Sequence, residues 1–183
     1  MFRLQGKTLA SIKVTKRASN IEYAIRDVIV HTQELIKNGK KIHYLNVGDP
    51  AAFDFKTPDY VKEALCKAIA NDDNYYSPSE GRKELREAIA QKEKRVNKVD
   101  ISADNVLITD GISEGIQMIL AALVEHGDEI LFPGPTYPPY ISYTKFFDGT
   151  PVAYETIEKE GWIPNIDDLR SKITERTRAI VIT

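Results

Sequence analysis

The chain has 183 residues, with 25 Lys and Arg against 27 Asp and Glu, a formal net charge of −2, and 42% hydrophobic residues. Near-neutrality removes the electrostatic footprint that nucleic acid or an anionic membrane requires, no apolar run approaches the roughly 18 residues needed to span a bilayer, and the N-terminus lacks a signal-peptide core, which points to the cytoplasm. The single cysteine, Cys66, excludes an internal disulfide, and His31, His43 and His126 share no helical spacing with another ligand, so no metal site is expected.

Residues 1–20 are basic and polar with weak periodicity and read as an arm. Ser19 or Asn20 caps a predicted helix running to about Lys37, with Ile21, Ile25, Val28, Ile29 and Leu35 on its apolar side and Asn38-Gly39 closing it. Residues 41–47 alternate as a strand and Gly48-Asp49-Pro50 breaks it. A helix follows over about 59–70, in which Cys66 reads as a half-buried small hydrophobe beside Val61, Leu65 and Ile69. Beyond the irregular Tyr75-Tyr76-Ser77-Pro78, a second helix covers about 82–94 with Leu85, Ala88 and Ile89 inward. Strands at 106–109, 129–132, 151–155 and 179–183 then alternate with helices at 113–125, 138–147 and 166–172. Apolar β-branched runs alternating with amphipathic helices predict an α/β fold with a mostly parallel sheet flanked by helices. The sequence stops at Thr183 inside the last apolar run. A buried parallel strand should lead into a turn there, so a continuation is expected.

The stretch V-L-I-T-D-G-I-S-E-G-I-Q at 106–117 is the most informative. An apolar run ends at Asp110-Gly111 and a helical pattern begins, so backbone N–H groups and the positive end of a helix converge. That arrangement suits phosphate. Gly111, Ile112 and Ser113 lack both the lysine of a triphosphate loop and the spacing of a dinucleotide turn, which leaves a single phosphate. A structural turn with Ser113 as a plain N-cap is the competing reading. Tyr137, held between prolines after the second strand, is placed to stack on a flat heterocycle or to plug the loop. Gly48 offers an N–H to a carboxylate, or simply makes the turn. Tyr76 reaches a phosphate or covers a core edge, and Trp162 pins a loop.

Taken in order, these pieces resemble the N-terminal part of the fold-type I, pyridoxal-phosphate-dependent aminotransferases of class I/II, nearest to the alanine aminotransferase-like branch. The segments that carry the resemblance are S-N-I-E-Y-A-I-R at 19–26, L-N-V-G-D-P-A-A-F-D-F at 45–55 and Y-S-P-S-E-G at 76–81. L-R-E-A-I-A at 85–90, T-D-G-I-S-E-G at 109–115 and G-D-E-I-L-F-P-G-P-T-Y-P at 127–138 continue it, and W-I-P-N at 162–165 and I-T-E-R-T-R-A-I-V-I at 173–182 complete it.

The resemblance implies a partial fold-type I architecture: residues 1–50 supply an arm, a helix and the first strand of a small domain, and residues 51–183 open the large cofactor-binding domain. It implies pyridoxal 5′-phosphate as cofactor, with Gly111, Ile112 and Ser113 on its phosphate and Tyr137 on its ring. Gly48 falls on the glycine that meets the substrate carboxylate. Tyr76 falls on the tyrosine that reaches the neighbouring subunit's cofactor, hence a homodimer. The implied reaction is transamination between an amino acid of alanine or aspartate type and a 2-oxo acid such as 2-oxoglutarate. The family's Schiff-base lysine and its N-P-x-N-P-T-G turn have no counterpart in the 183 residues, so the chain alone is expected to be inactive. The alternative is a non-catalytic phosphate-binding or dimer-forming module ending at Thr183.

Overall fold

The computed structural model describes residues 13–19, 21, 29, 32–33, 35–45 and 48–183. In chain order its helices are α1 (Lys16–Ser19), α2 (Asp59–Ala70), α3 (Lys83–Lys92), α4 (Gly111–Leu123), α5 (Pro138–Phe146) and α6 (Ile166–Lys172). The strands are β1 (Glu129–Gly134), β2 (Thr150–Ile157), β3 (Ile163–Pro164) and β4 (Thr177–Ile180). The chain divides into two compact units, one of Lys41–Ile112 and one of Met1–Lys40 with Ser113–Thr183.

The sheet belongs to the latter unit, in the order β3-β2-β1-β4. β1 pairs parallel with β2 from Glu129↔Thr150 to Gly134↔Glu155, and parallel with β4 on its other side. Residues 129–133 are all buried, as a central parallel strand covered on both faces requires. Ile116, Leu120 and Val124 recur every four residues, which puts them on one face of the α4 segment. That face packs on Ile130, with Tyr140, Tyr143, Phe147, Ala179 and Val181 around it. Gly149, entering β2, has no room for a side chain: a Cβ there would stand 2.5 Å from Val124 Cγ1 and 3.3 Å from the Asp128 carbonyl.

Two buried carboxylates clamp the amino end of the sheet. The β1–β4 register shifts between Glu129 and Ile130, whose partners are Thr177 and Ala179. The skipped residue, Arg178, places Nε 2.9 Å from Asp128 Oδ1. The Glu125 N–H, 3.0 Å from Asp128 Oδ2, and then Arg178 hold the Asp128 carboxyl below its ordinary range. Glu129 is lowered likewise, first by the Thr174 hydroxyl at 2.6 Å and then by Arg176.

The other unit holds α2, α3 and a π-helical turn, Glu93–Asn97. The sequence expectations need correction at several points. Residues 41–45 form no strand and 46–47 lie outside the described residues, as does most of the expected helix over 21–37, of which 29, 32–33 and 35–37 are helical. Residues 106–109 are extended but unpaired: the Ile108 N–H donates to the Glu80 carbonyl (3.0 Å) and not to a strand. Alternating or apolar runs define a strand only when a second strand completes their hydrogen bonds. On α3 the buried residues are Arg86 and Ala90, while Leu85 and Ala88 are exposed. Cys66 is exposed as well, on an α2 whose Leu65 and Ile69 also face outward.

Candidate functional site

α4 starts at Gly111, two residues earlier than its apolar periodicity indicates. Gly111 takes φ +73°, a left-handed conformation that glycine adopts without steric cost. Its N–H donates to the Thr109 carbonyl (2.9 Å), and the Thr109 hydroxyl donates to the Gly111 carbonyl (2.9 Å). Gly111 therefore contributes shape, and nothing stands within 4 Å of where its Cβ would be. The N–H groups of Ile112 and Ser113 fall in the first helical turn, where no preceding turn supplies carbonyls. With the Ser113 hydroxyl they make a small donor set at the positive end of a 13-residue helix. Such a helix start attracts anions in general.

Tyr137 is the N-cap residue of α5, just beyond the carboxyl end of β1, where parallel sheets build ligand sites. Pro138 at the first helical position fixes the entry into α5, and the preceding Gly134–Pro135 peptide is cis. The Tyr137 ring meets Tyr140 edge-on, with centroids 6.0 Å apart at 85°, and 38% of the residue is exposed.

Gly48 lies in a recess of about 360 Å³ formed with Asp49, Pro50, Phe53 and Phe55. Its apolar walls come from a 3-10 turn, Pro50–Phe53, whose end is set by Asp54 in the left-handed region. Neither Tyr76 nor Gly111 lines this recess, although all three belong to the unit of residues 41–112. Tyr76 stands wholly in solvent, at 101% exposure. Ser113 and Tyr137 belong to the other unit.

Beside the Tyr137 loop, a cavity of about 130 Å³ sits at the carboxyl ends of the strands between Pro133, Pro135, Tyr154, Thr156 and Trp162. The Tyr154 hydroxyl donates to the Val181 carbonyl (2.7 Å) and the Thr156 hydroxyl to the Gly134 carbonyl (2.8 Å), tying three strands together there. Burial pushes the Tyr154 phenol up from its ordinary value. Trp162 shapes this cavity from a left-handed backbone (φ 65°), so it does more than pin a loop. Sequence reasoning also missed Arg86, which is 8% exposed. Its signal was positional: Arg86 shares a helix face with Ala90, the small residue of α3 that is buried.

Among the described residues no group of three or more His, Cys, Asp or Glu is arranged to hold a metal, and no helix is long and apolar enough to cross a membrane.

A mostly parallel sheet flanked by helices makes this an α/β protein. The sequence profile of the family described as Aminotransferase class I and II matches residues 40–183, and the chain belongs to that family. It is 38% identical over 168 residues to an alanine aminotransferase of Mycobacterium tuberculosis, covering 91% of this chain and 39% of that protein. The glutamate-pyruvate aminotransferase AlaA of Escherichia coli is 34% identical over 175 residues, 95% of this chain and 43% of the relative. Among solved structures, the alanine aminotransferase from Pyrococcus furiosus superimposes with a TM-score of 0.87 at 55% identity, over 92% of this chain and 43% of that one. An aspartate aminotransferase from Thermus thermophilus gives 0.83 at 31% identity, over 94% and 44%. The chain thus spans about two-fifths of the length of these relatives.

Proposed function

We propose that the protein takes part in pyridoxal-phosphate-dependent transamination between an amino acid of alanine or aspartate type and a 2-oxo acid such as 2-oxoglutarate. The relatives named as alanine, glutamate-pyruvate and aspartate aminotransferases support this reading. The observation that carries it is the start of α4, where Gly111 takes φ +73° and a helix of 13 residues opens with first-turn N–H groups that have no intrahelical partners. Residues 1–50 are assigned to the small domain of the fold and 51–183 to the cofactor-binding one.

When bound, the coenzyme supplies an electron sink for the carbanion formed at the amino acid's Cα. The chain's own residues bind and orient. Ile112 and Ser113 present N–H groups, and Ser113 its hydroxyl, to the phosphate. The helix dipole favours the phosphate's negative charge. Tyr137 offers a ring face to the heterocycle and limits its rotation. Gly48, with no side chain, lets a substrate carboxylate approach its backbone N–H at the mouth of an apolar recess. Tyr76, fully exposed, extends toward the phosphate site of a second subunit in a homodimer. Fixing ring, phosphate and carboxylate together is the positioning part of catalysis.

Equilibrium dialysis with pyridoxal 5′-phosphate tests the phosphate assignment. Replacing Ser113 by Ala removes one hydrogen bond to a charged group, worth about 1.5–3 kcal/mol, so binding is expected to weaken tenfold or more. Equal binding by Ser113→Ala removes Ser113 from the site.

A further inference from the structure

Arg86 is the most deeply buried cation among the described residues, and neither the phosphate turn nor the carboxylate recess uses it. From the first turns of α3, its Nε donates to the Gly81 carbonyl (3.2 Å) and its Nη1 to the Ala103 carbonyl (2.9 Å). Glu80 and Asp104 stand at 3.6 and 3.7 Å from the same guanidinium, one on each side. The planar fork therefore joins two loops that are over twenty residues apart in sequence, a geometry that a lysine's point charge does not reproduce.

Both loops run to residues assigned to the coenzyme. The 76–81 loop begins at Tyr76. At its other end the Glu80 carbonyl accepts the Ile108 N–H (3.0 Å). Gly81 (φ +97°) lies so close to Ile108 that a Cβ at 81 would overlap that side chain. Ile108 is followed by Thr109, whose two hydrogen bonds to Gly111 shape the start of α4. A continuous series of polar and steric contacts thus leads from Arg86 through Glu80, Gly81 and Ile108 to the Thr109–Gly111 turn, all within the unit of residues 41–112.

We propose that Arg86 is a positioning residue for the coenzyme phosphate: by fixing the Glu80–Gly81 corner against Ile108 it sets the conformation of the Thr109–Gly111 turn. The proposal rests on the assignment of that turn to phosphate. A side chain that sets a phosphate turn affects ligands that carry the phosphate and spares those that lack it. A side chain that merely stabilises the unit affects both equally, through the folded fraction.

The test compares two ligands that form no covalent bond with lysines, 4′-deoxypyridoxine 5′-phosphate and 4′-deoxypyridoxine, by calorimetry on the full chain. The wild-type chain is expected to prefer the phosphorylated ligand at least about tenfold, the worth of one hydrogen bond to a charged group. Arg86→Met should bring that ratio toward one while leaving affinity for the unphosphorylated ligand unchanged. Arg86→Lys should fall between. Gly81→Ala alters no charge and should lower the ratio through the clash with Ile108, which separates positioning from loss of a distant positive charge. If Arg86→Met does not fold, Arg86→Lys and Gly81→Ala decide. A wild-type ratio near one overturns the phosphate assignment and this proposal with it. A normal wild-type ratio that survives in the variants, even with a lowered melting temperature, overturns the role of Arg86 alone.

Discussion

Tyr137 packs against Tyr140 at 85° and keeps 38% of its surface exposed, and the proposed function gives that exposed surface to a flat heterocycle. Replacement by Ala removes an aromatic contact worth about 0.5–1.5 kcal/mol beyond its area. Tyr137→Ala is therefore expected to bind pyridoxal 5′-phosphate more weakly, whereas Tyr137→Phe keeps most of the affinity; dialysis on both variants measures it, and unchanged affinity in the alanine variant removes the stacking role. Gly111, Ile112, Ser113 and Tyr137 could be singled out from sequence because glycine, serine and aromatic residues at turns after apolar runs each suggest a distinct physical task. The hydrogen bond from the Gly111 N–H to the Thr109 carbonyl was not legible, because it depends on the folded turn. Arg86 escaped notice because a lone arginine on a helix of Lys and Glu reads as solvated, and its burial depends on carbonyls at Gly81 and Ala103.

At the scale of elements, the helices at 59–70 and 166–172 fall within the bounds expected from sequence, although the apolar side of the first is exposed. In α6 the Asn165 side chain accepts from the Asp168 N–H (3.2 Å), a side-chain cap of the helix start. Lys172 and then the Glu155 N–H hold the Asp168 carboxyl below its ordinary range, tying α6 to β2. The expected strand at 106–109 failed for the opposite reason: a strand is a property of two segments, and Ile108 pairs with a loop. The connection between α5 and β2 carries its own prediction. A methyl at Gly149 would overlap Val124, a buried member of the core, and crowd Thr144 Cγ2 at 3.1 Å. Gly149→Ala is therefore expected to destabilise by about 1–3 kcal/mol, the usual cost of overpacking. Urea titration followed by circular dichroism reads this as a lower midpoint, and an unchanged midpoint would show that the turn yields freely.

For the whole molecule, the two carboxylates at the amino end of the sheet are expected to contribute to acid sensitivity. Asp128 and Glu129 have folded-state values depressed below the ordinary carboxylate range. Their contribution is present in full above that range and is lost as pH falls through the lowered folded values. Urea midpoints should therefore hold steady near neutrality and decline below about pH 4. Glu129→Gln should lower stability at neutral pH and flatten the acid decline, because that glutamate's titration is gone; an acid limb identical to wild type would place the acid sensitivity elsewhere. At the opposite end of the sheet the same strands lead into the Tyr137 loop and the Trp162 cavity.

The central claim is that a helix starting at Gly111 receives the phosphate of a B6 coenzyme. A crystal structure of the chain with 4′-deoxypyridoxine 5′-phosphate tests it most directly. Phosphate oxygens are expected within about 3.2 Å of the Ile112 and Ser113 nitrogens and of Ser113 Oγ, with the ring against Tyr137. A phosphate bound at another place, with the start of α4 bare, would contradict it.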